Sequence, residues 1–417
     1  MFFHRRKVLT ACREHAFAAT TRPGPLGTIE PQTRESGATK SVKKSAPREN
    51  ALRVLYLVAG ARPNFMKIAP LVRALRMHSK TLAFKIIHTG QHYDHDLNEV
   101  FFDELGIPAP DVFLGAGSGS HAQQTAKIML GFEQCCQTDR PDCVLVVGDV
   151  NSTLACSIVA KKLCIPVAHV EAGLRSRDMA MPEEVNRIVT DSISDFFFVT
   201  EPSGVRNLLG EGKPVERIHH VGHVMVDNLI YQRDKLAVTD TSAFESTGLK
   251  SRLGSYGVVT LHRPSNVDTR EALERTAAML QMVAARIALV FPLHPRTRGN
   301  LDKFGISLGD RVLLTGPMPY MEFLNLWKDA KFVLTDSGGL QEETTALGVP
   351  CITVRENTER PITVEEGTNI VAGTDPEKVK TEAFKILEGQ SKRGHRPALW
   401  DGGAAERILA ILARELA

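Results

Sequence analysis

The sequence predicts an α/β chain of two doubly wound domains that face each other across a cleft. Three observations predict it. Short apolar, β-rich runs alternate with segments of helical periodicity, the pattern of a parallel sheet covered by helices on both faces. The alternation runs twice, and the two series are separated by Val221-Gly222-His223-Val224-Met225, which reads as a hinge. Polar and charged residues gather directly behind the strand-like runs, where sheets of this kind hold their ligands.

In the first series, strands are expected at 54–58, 84–88, 143–147, 167–170 and 196–199. A run such as Cys143-Val144-Leu145-Val146-Val147 has no polar alternation, so it is read as buried on both faces. Helices fit 66–77, 122–136, 152–163 and 183–194. In the second series, strands are expected at 258–261, 288–293, 312–314, 332–335 and 351–354, with helices at 270–285, 320–328 and 340–347. A last amphipathic segment, 404–416, carries Ile408, Leu409, Ile411 and Leu412 and should pack back on a domain. The resulting division is a first Rossmann-like domain over 51–223, a second over 224–395, and the closing helical segment over 396–417. Residues 1–50 differ. They hold ten basic against four acidic residues, a net of +6 that leaves the remainder near −3 for a total of +3. Rich in Pro, Gly, Ser and Thr and without periodicity, they read as a disordered basic extension. It has the composition of an organelle transit peptide, and equally of an inert tail or of sequence ahead of the true start.

Bulk composition excludes several classes. The chain has 417 residues, 43% hydrophobic and 24% charged, as an ordinary globular protein does. A net charge of +3 demands neither nucleic acid nor an anionic membrane as partner. No apolar run reaches the roughly 18 residues of a membrane helix. The seven cysteines are scattered and odd in number, which reads as reduced thiols of a cytoplasmic enzyme rather than a metal or disulfide framework.

The most informative stretch is Lys331–Pro350. An apolar strand runs into Asp336-Ser337-Gly338-Gly339, then Leu340, Thr344 and Leu347 recur at helical spacing until Gly348-Val349-Pro350. Strand, glycine turn and helix leave free N–H groups at the helix start, a seat for a phosphate. Glu342 and Glu343 sit in the early turns, where a carboxylate can accept two neighbouring hydroxyls such as a ribose offers. The stretch therefore fits a nucleoside diphosphate; it also fits a plain βα turn in which Ser337 caps the helix. Other strand ends supply Arg62 and Lys67, Gln91 and His92, Asp149, Glu171, Glu183 and Arg187, then His262, His294 and Arg360. Asp149 fits a helix cap as well as a functional acid. Glu171 has no evident structural task. Glu183 suits a helix dipole whatever else it does, and Arg187 reads as the partner of a buried acid. His262 and His294 fit core histidines as well as functional ones. His88 and His169, inside strands, read as structural.

From about Arg53 onward the chain resembles the non-hydrolysing UDP-N-acetylglucosamine 2-epimerases. The matching segments include Gly60-Ala61-Arg62-Pro63-Asn64-Phe65-Met66-Lys67, His169-Val170-Glu171-Ala172-Gly173-Leu174-Arg175, Pro182-Glu183-Glu184-Val185-Asn186-Arg187, Asp336–Glu343 and Thr358-Glu359-Arg360-Pro361. The resemblance implies the GT-B architecture and the interconversion of UDP-GlcNAc and UDP-ManNAc, a precursor step for polysaccharides. It implies elimination of UDP to 2-acetamidoglucal followed by re-addition, with no metal, no nicotinamide or other cofactor, and a homodimer. By motif position, Asp149, Glu171, Glu183 and His262 would be catalytic. Arg62, Lys67, Arg187, His294, Phe323, Ser337, Gly338, Gly339, Glu343 and Arg360 would bind the UDP-sugar, with Phe323 near uracil and Glu343 on ribose. Gln91 and His92 would belong to a second nucleotide-sugar site.

One segment departs from the bacterial members. Where they continue the histidine with Arg-Arg-Glu-Ser-Phe-Gly, this chain reads His262-Arg263-Pro264-Ser265-Asn266-Val267-Asp268. That form also occurs in relatives acting on UDP-diacetamido uronic acids, which leaves the sugar more open than the reaction. A hydrolysing 2-epimerase and a GT-B glycosyltransferase are the other enzyme readings, and a nucleotide-sugar-binding regulator the non-enzymatic one.

Overall fold

Each series folds into its own parallel sheet. The computed structural model of the chain describes residues 52–77, 81–91 and 99–417; the extension over 1–50 and His92 lie outside the described residues. The first sheet holds β1 (Arg53–Ala59), β2 (Leu82–His88), β3 (Val112–Phe113), β4 (Cys143–Val147), β5 (Val167–Val170), β6 (Phe196–Val199) and β7 (Ile218–His220). Its helices are α1 (Arg62–Met77), α2 (Glu99–Leu105), α3 (His121–Thr138), α4 (Asn151–Lys162), α5 (Pro182–Ile193) and α6 (Pro202–Gly210). After α7 (Val224–Ala237) and α8 (Glu245–Leu253) comes the second sheet: β8 (Tyr256–Thr260), β9 (Ala288–Pro292), β10 (Val312–Thr315), β11 (Val333–Thr335), β12 (Cys351–Thr353) and β13 (Asn369–Val371). With it come α9 (Pro264–Val267), α10 (Arg270–Ala284), α11 (Pro295–Phe304), α12 (Tyr320–Trp327), α13 (Gly338–Leu347), α14 (Pro361–Glu365), α15 (Pro376–Leu387) and α16 (Ala404–Glu415).

Strand order is β3-β2-β1-β4-β5-β6-β7 in one sheet and β10-β9-β8-β11-β12-β13 in the other. Both wind outward in two directions from a central pair. The reversal opens a crevice beside β1/β4 in the first sheet and β8/β11 in the second, and ligands of such sheets sit there. Strands β4, β5 and β6 are buried throughout, as their unbroken apolar runs require. In β1, Leu55 and Leu57 face the α1/α16 side while Tyr56 and Val58 face the α3/α4 side, the two-residue alternation of a strand covered twice. The strands that sequence reading missed, β3, β7 and β13, have two or three residues, too few to show a period.

The C-terminal helix returns to the first sheet. Ile408, Leu409 and Leu412 of α16 join the core that α1 covers. Helix α7 touches α1 and α16 on one side and α12 and α13 on the other. Gly222, at the start of this crossing, has φ +89°, and a Cβ there would land on the Leu399 carbonyl oxygen. Only glycine fits. Trp400, fully buried, donates Nε1–H to the Thr200 carbonyl at 3.1 Å while its ring packs with the core under α7 and α12.

Candidate active site

At the β1/β4 crevice, α1 starts three residues beyond β1. Asn64 closes that turn by accepting from the N–H groups of Gly60 and Ala61. One helical turn later, Lys67 reaches across to Glu171, Nζ to Oε2 at 2.6 Å. Gly148 makes the contact possible: its φ is +69°, and a Cβ there would stand 2.8 Å from Lys67 Nζ. His169 accounts for the turn from below. It bonds the Gly148 carbonyl through Nε2 at 2.8 Å and Asp191 through Nδ1 at 2.7 Å. His88 stacks on Phe113 and packs on Phe65. Both rings are buried in the first sheet.

Glu171 follows β5 with φ +70° and is 2% exposed. A left-handed, non-glycine residue is strained and persists only where its surroundings hold it. Its Oε1 has no hydrogen-bond partner among the described residues. Burial pushes its carboxyl up, but Lys67, with His223 and Arg360 behind it, outweighs that and holds it below the usual carboxylate range. Asp149 does not cap α4, whose N-cap is Val150 without a side-chain bond. Its carboxylate takes Arg187 Nη1 at 2.7 Å. Arg187 also holds Glu184 at 2.7 Å, so it does pair with a buried acid. Helix α5 begins with Pro182 at its first turn, where a missing N–H costs nothing. That places Glu183 outward, exposed, while Glu184 turns in and accepts from the N–H groups of Ser176 and Arg177. Asp149, Glu183 and Gln91 line one cavity of about 350 Å³, together with His121, Gln124, Asn151 and Asn186. Gln91 is buried, its Oε1 accepting from Ser152.

At the β8/β11 crevice the key residue is Asp336, which is fully buried. It accepts from the N–H groups of His262 and Arg263 and from Asn266 Nδ2, and His262 Nδ1 lies 2.9 Å away. Burial pushes its carboxyl up; the bonds from His262 and Asn266 outweigh it and hold the group ionised. The departing segment thus has a structural reason: Asn266 bridges Asp336 and the Val354 carbonyl. His262 is not a core histidine, since its side chain is 52% exposed. Nor is His294, which is exposed and caps α11 by accepting from Arg296 N–H at 3.2 Å. Helix α13 starts at Gly338 with Ser337 in the N-cap position, but the Ser337 side chain makes no capping bond. The plain-cap reading fails, and the first-turn N–H groups keep their capacity for an anion. Gly348 ends the helix with φ +75°. Glu343 accepts from the Tyr320 hydroxyl at 2.9 Å, and Phe323 is half-buried one turn along α12. Burial, with Glu342 beside it, pushes the Glu343 carboxyl up to about 7.

The two crevices meet. Arg360, ahead of α14, sits 2.5 Å from Glu342 Oε1, and His223 Nε2 lies 2.8 Å from the same oxygen. Against the pull of burial, Glu342 in the second lobe and Glu171 and Asp149 in the first raise the affinity of Arg360 for its proton. Arg360 is 9% exposed, and its Nη1 has no hydrogen-bond partner among the described residues. A buried acceptor on one side and a buried donor on the other are therefore both unspent, which marks a place for a ligand. Arg62 stands apart from the carboxylates, its guanidinium 5.1 Å over the Phe101 ring.

Sequence reading missed His223, Glu184 and Asp336, and it named Glu342 only beside Glu343. The signal was present for two of them. Residues one apart on a helix point about 100° apart, so Glu183 and Glu184, like Glu342 and Glu343, could not share a task. No local signal marked His223.

Residues 73–413 match the model of the UDP-N-acetylglucosamine 2-epimerase family. The chain is 39% identical over 362 residues to a UDP-N-acetylglucosamine 2-epimerase of Methanococcus maripaludis, covering 85% of this chain and 97% of that one. It is 37% identical over 363 residues to the UDP-2,3-diacetamido-2,3-dideoxy-D-glucuronate 2-epimerase of Pseudomonas aeruginosa, 86% and 99% of the two chains. Among solved structures it resembles the Methanocaldococcus jannaschii UDP-GlcNAc 2-epimerase in complex with UDP-GlcNAc and UDP, with TM-score 0.75, 38% identity, and coverage of 87% and 99%.

Proposed function

The chain belongs to the UDP-N-acetylglucosamine 2-epimerase family, and from that premise we propose how this epimerase inverts C2 of UDP-GlcNAc to give UDP-ManNAc, and the reverse. The C2 proton is not next to a carbonyl, so direct deprotonation is too costly. Loss of the proton with departure of UDP from C1 avoids the bare carbanion and leaves 2-acetamidoglucal. UDP then returns to C1 while C2 takes a proton on its other face. Two carboxylates must divide that work, one as base and one as acid. Asp149, Glu171 and Glu183 are the candidates.

The observation that carries this reading is the unspent pair at the lobe junction: Glu171 Oε1 and Arg360 Nη1. In the proposed roles, Arg360 and the N–H groups of Gly338 and Gly339 hold the diphosphate, with Ser337 adding its hydroxyl. Glu343 accepts the ribose hydroxyls and Phe323 packs by the base. His262, held at Nδ1 by Asp336, presents Nε2 to the leaving group. Lys67 and Arg187 serve the acids rather than the phosphates: Lys67 helps keep Glu171 ionised, and Arg187 pairs with Asp149. Arg62 and His294 line the approach. Gln91 lies in the cavity with Asp149, so its role belongs to the sugar as much as to a second nucleotide. We place the enzyme in the cytoplasm, where scattered cysteines stay reduced, and as a homodimer, as the family resemblance implies. Among the described residues no helix is long and apolar enough to cross a membrane.

The second reading keeps the reaction and changes the sugar to a UDP-diacetamido uronate. The 37% identity to the Pseudomonas enzyme favours it. Incubation with UDP-GlcNAc in D₂O separates the readings. Deuterium at C2 of both epimers supports the first. Free ManNAc would point to a hydrolase. No exchange with UDP-GlcNAc, but exchange with the uronate, moves the assignment to the second sugar.

A further inference from the structure

Inversion by two carboxylates leaves the enzyme in the wrong protonation state. In one forward turnover the base takes H2 as a proton, the C1–O bond breaks and its electrons leave with UDP. The bond then re-forms as the acid gives C2 a proton. The sugar has gained and lost one proton, but the base is now a carboxylic acid and the acid a carboxylate. A second forward turnover needs one proton moved from the former to the latter, directly or through solvent.

The cavity that holds Asp149 and Glu183 contains a group suited to that transfer. His121, the first residue of α3, lines it and is exposed at its edge. Its Nδ1 lies 3.1 Å from Asn151 Nδ2. Asn151 is buried, and the same Nδ2 also donates to Gln124 Oε1 at 2.8 Å. The same Nδ1 lies 3.4 Å from Asn151 Oδ1, so the Asn151 amide faces the ring at Nδ1 whichever tautomer it holds. Asn186 fixes the other end, donating to the Asp149 carbonyl at 2.8 Å and to Asn151 Oδ1 at 3.3 Å. The imidazole is thus held in one orientation by a chain of amides that ends at the acid's own backbone. Among the described residues, Asp149, Glu183 and His121 are the titratable side chains lining this cavity, and Arg187 is the cation bonded to Asp149. A volume of about 350 Å³ admits on the order of ten waters at ~30 Å³ each once product leaves. Imidazole takes and gives protons near neutrality.

We propose that His121 is the residue through which the acid/base carboxylates reset their protons between turnovers. The ring takes the proton from the protonated base through cavity water and passes it to the ionised acid or to solvent, with no net proton consumed. His121 does not touch the reacting carbon, so it acts after chemistry. The inference rests on the acid/base roles given above.

His121→Gln tests it, because glutamine keeps a hydrogen-bonding side chain beside Asn151 and cannot titrate. With enzyme in excess, the first turnover should run at the wild-type rate. Steady-state kcat should fall about tenfold or more and return when free imidazole is added. Unchanged kcat would overturn the proposal. So would a first turnover slowed as much as the steady state, or a deficit that imidazole does not restore. Asp149→Asn and Glu183→Gln run alongside. If both keep full turnover, the acid/base assignment fails rather than the relay alone.

Discussion

The two lobes share one winding and put different chemistry at their switch points. In the first, the residues behind β4 and β5 are acids, and basic side chains hold them: Lys67 on Glu171, Arg187 on Asp149. In the second, the acid behind β11 faces inward and pins a loop, Asp336 under His262 and Arg263. What the second lobe leaves open is positive: the first turn of α13 and the Nη1 of Arg360. The difference teaches that one sheet plan can present a spare carboxylate oxygen or a spare cationic N–H at its switch point. The choice depends on whether the carboxylate behind the strand is left with a spare oxygen or spends both on backbone N–H groups.

The comparison can be broken most sharply at Glu171. Glu171→Gln should lower kcat by about 10²-fold or more while UDP, titrated calorimetrically, binds as before. A UDP affinity lost in step with kcat would mean that the lobes do not divide the work. Next comes the joint. Gly222→Ala, forced to a φ near +89° against Leu399, should cost about 1–3 kcal/mol of stability, read as a lowered thermal midpoint. An unchanged midpoint would show that this backbone can give way. Arg360→Lys keeps the charge but loses the planar fork. It should weaken UDP about tenfold, or about 1.4 kcal/mol, and change kcat at saturation less.

The smallest effect concerns pH. Glu343 has its carboxyl raised from 4.5 to about 7, so the folded state prefers its protonated form. Its ionisation weakens the fold as pH climbs from 4.5 through 7. If ribose hydroxyls donate to the ionised form, UDP binding releases a proton and tightens by about tenfold between pH 6 and 8. Glu343→Gln should flatten that slope. A slope that survives the substitution assigns it to another group.

Much of this was legible in the residues. The strands 143–147, 167–170 and 196–199 were placed to the residue, because an apolar run bounded by turns has one reading in a doubly covered sheet. The strand, turn and helix around Asp336–Gly339 were legible because glycine, strand and helix period all occur within one stretch. Asp149 and Glu171 were legible because polar residues behind buried strands have nowhere to point except the crevice.

The rest belongs to tertiary structure. Strand periodicity says which residues follow a strand; it does not say which strands lie side by side. The order β1-β4-β5 brings Lys67 to Glu171, 104 residues away, so an expected phosphate ligand meets an acid. His223, Glu342 and Arg360 converge from three separate segments, a meeting that no one segment shows. Local sequence determined the elements and their chemistry, because backbone sterics and hydrophobic period act over a few residues. Long-range packing decided which charges neutralise one another and which stay open to a ligand, because Coulombic pairing depends on distance in space.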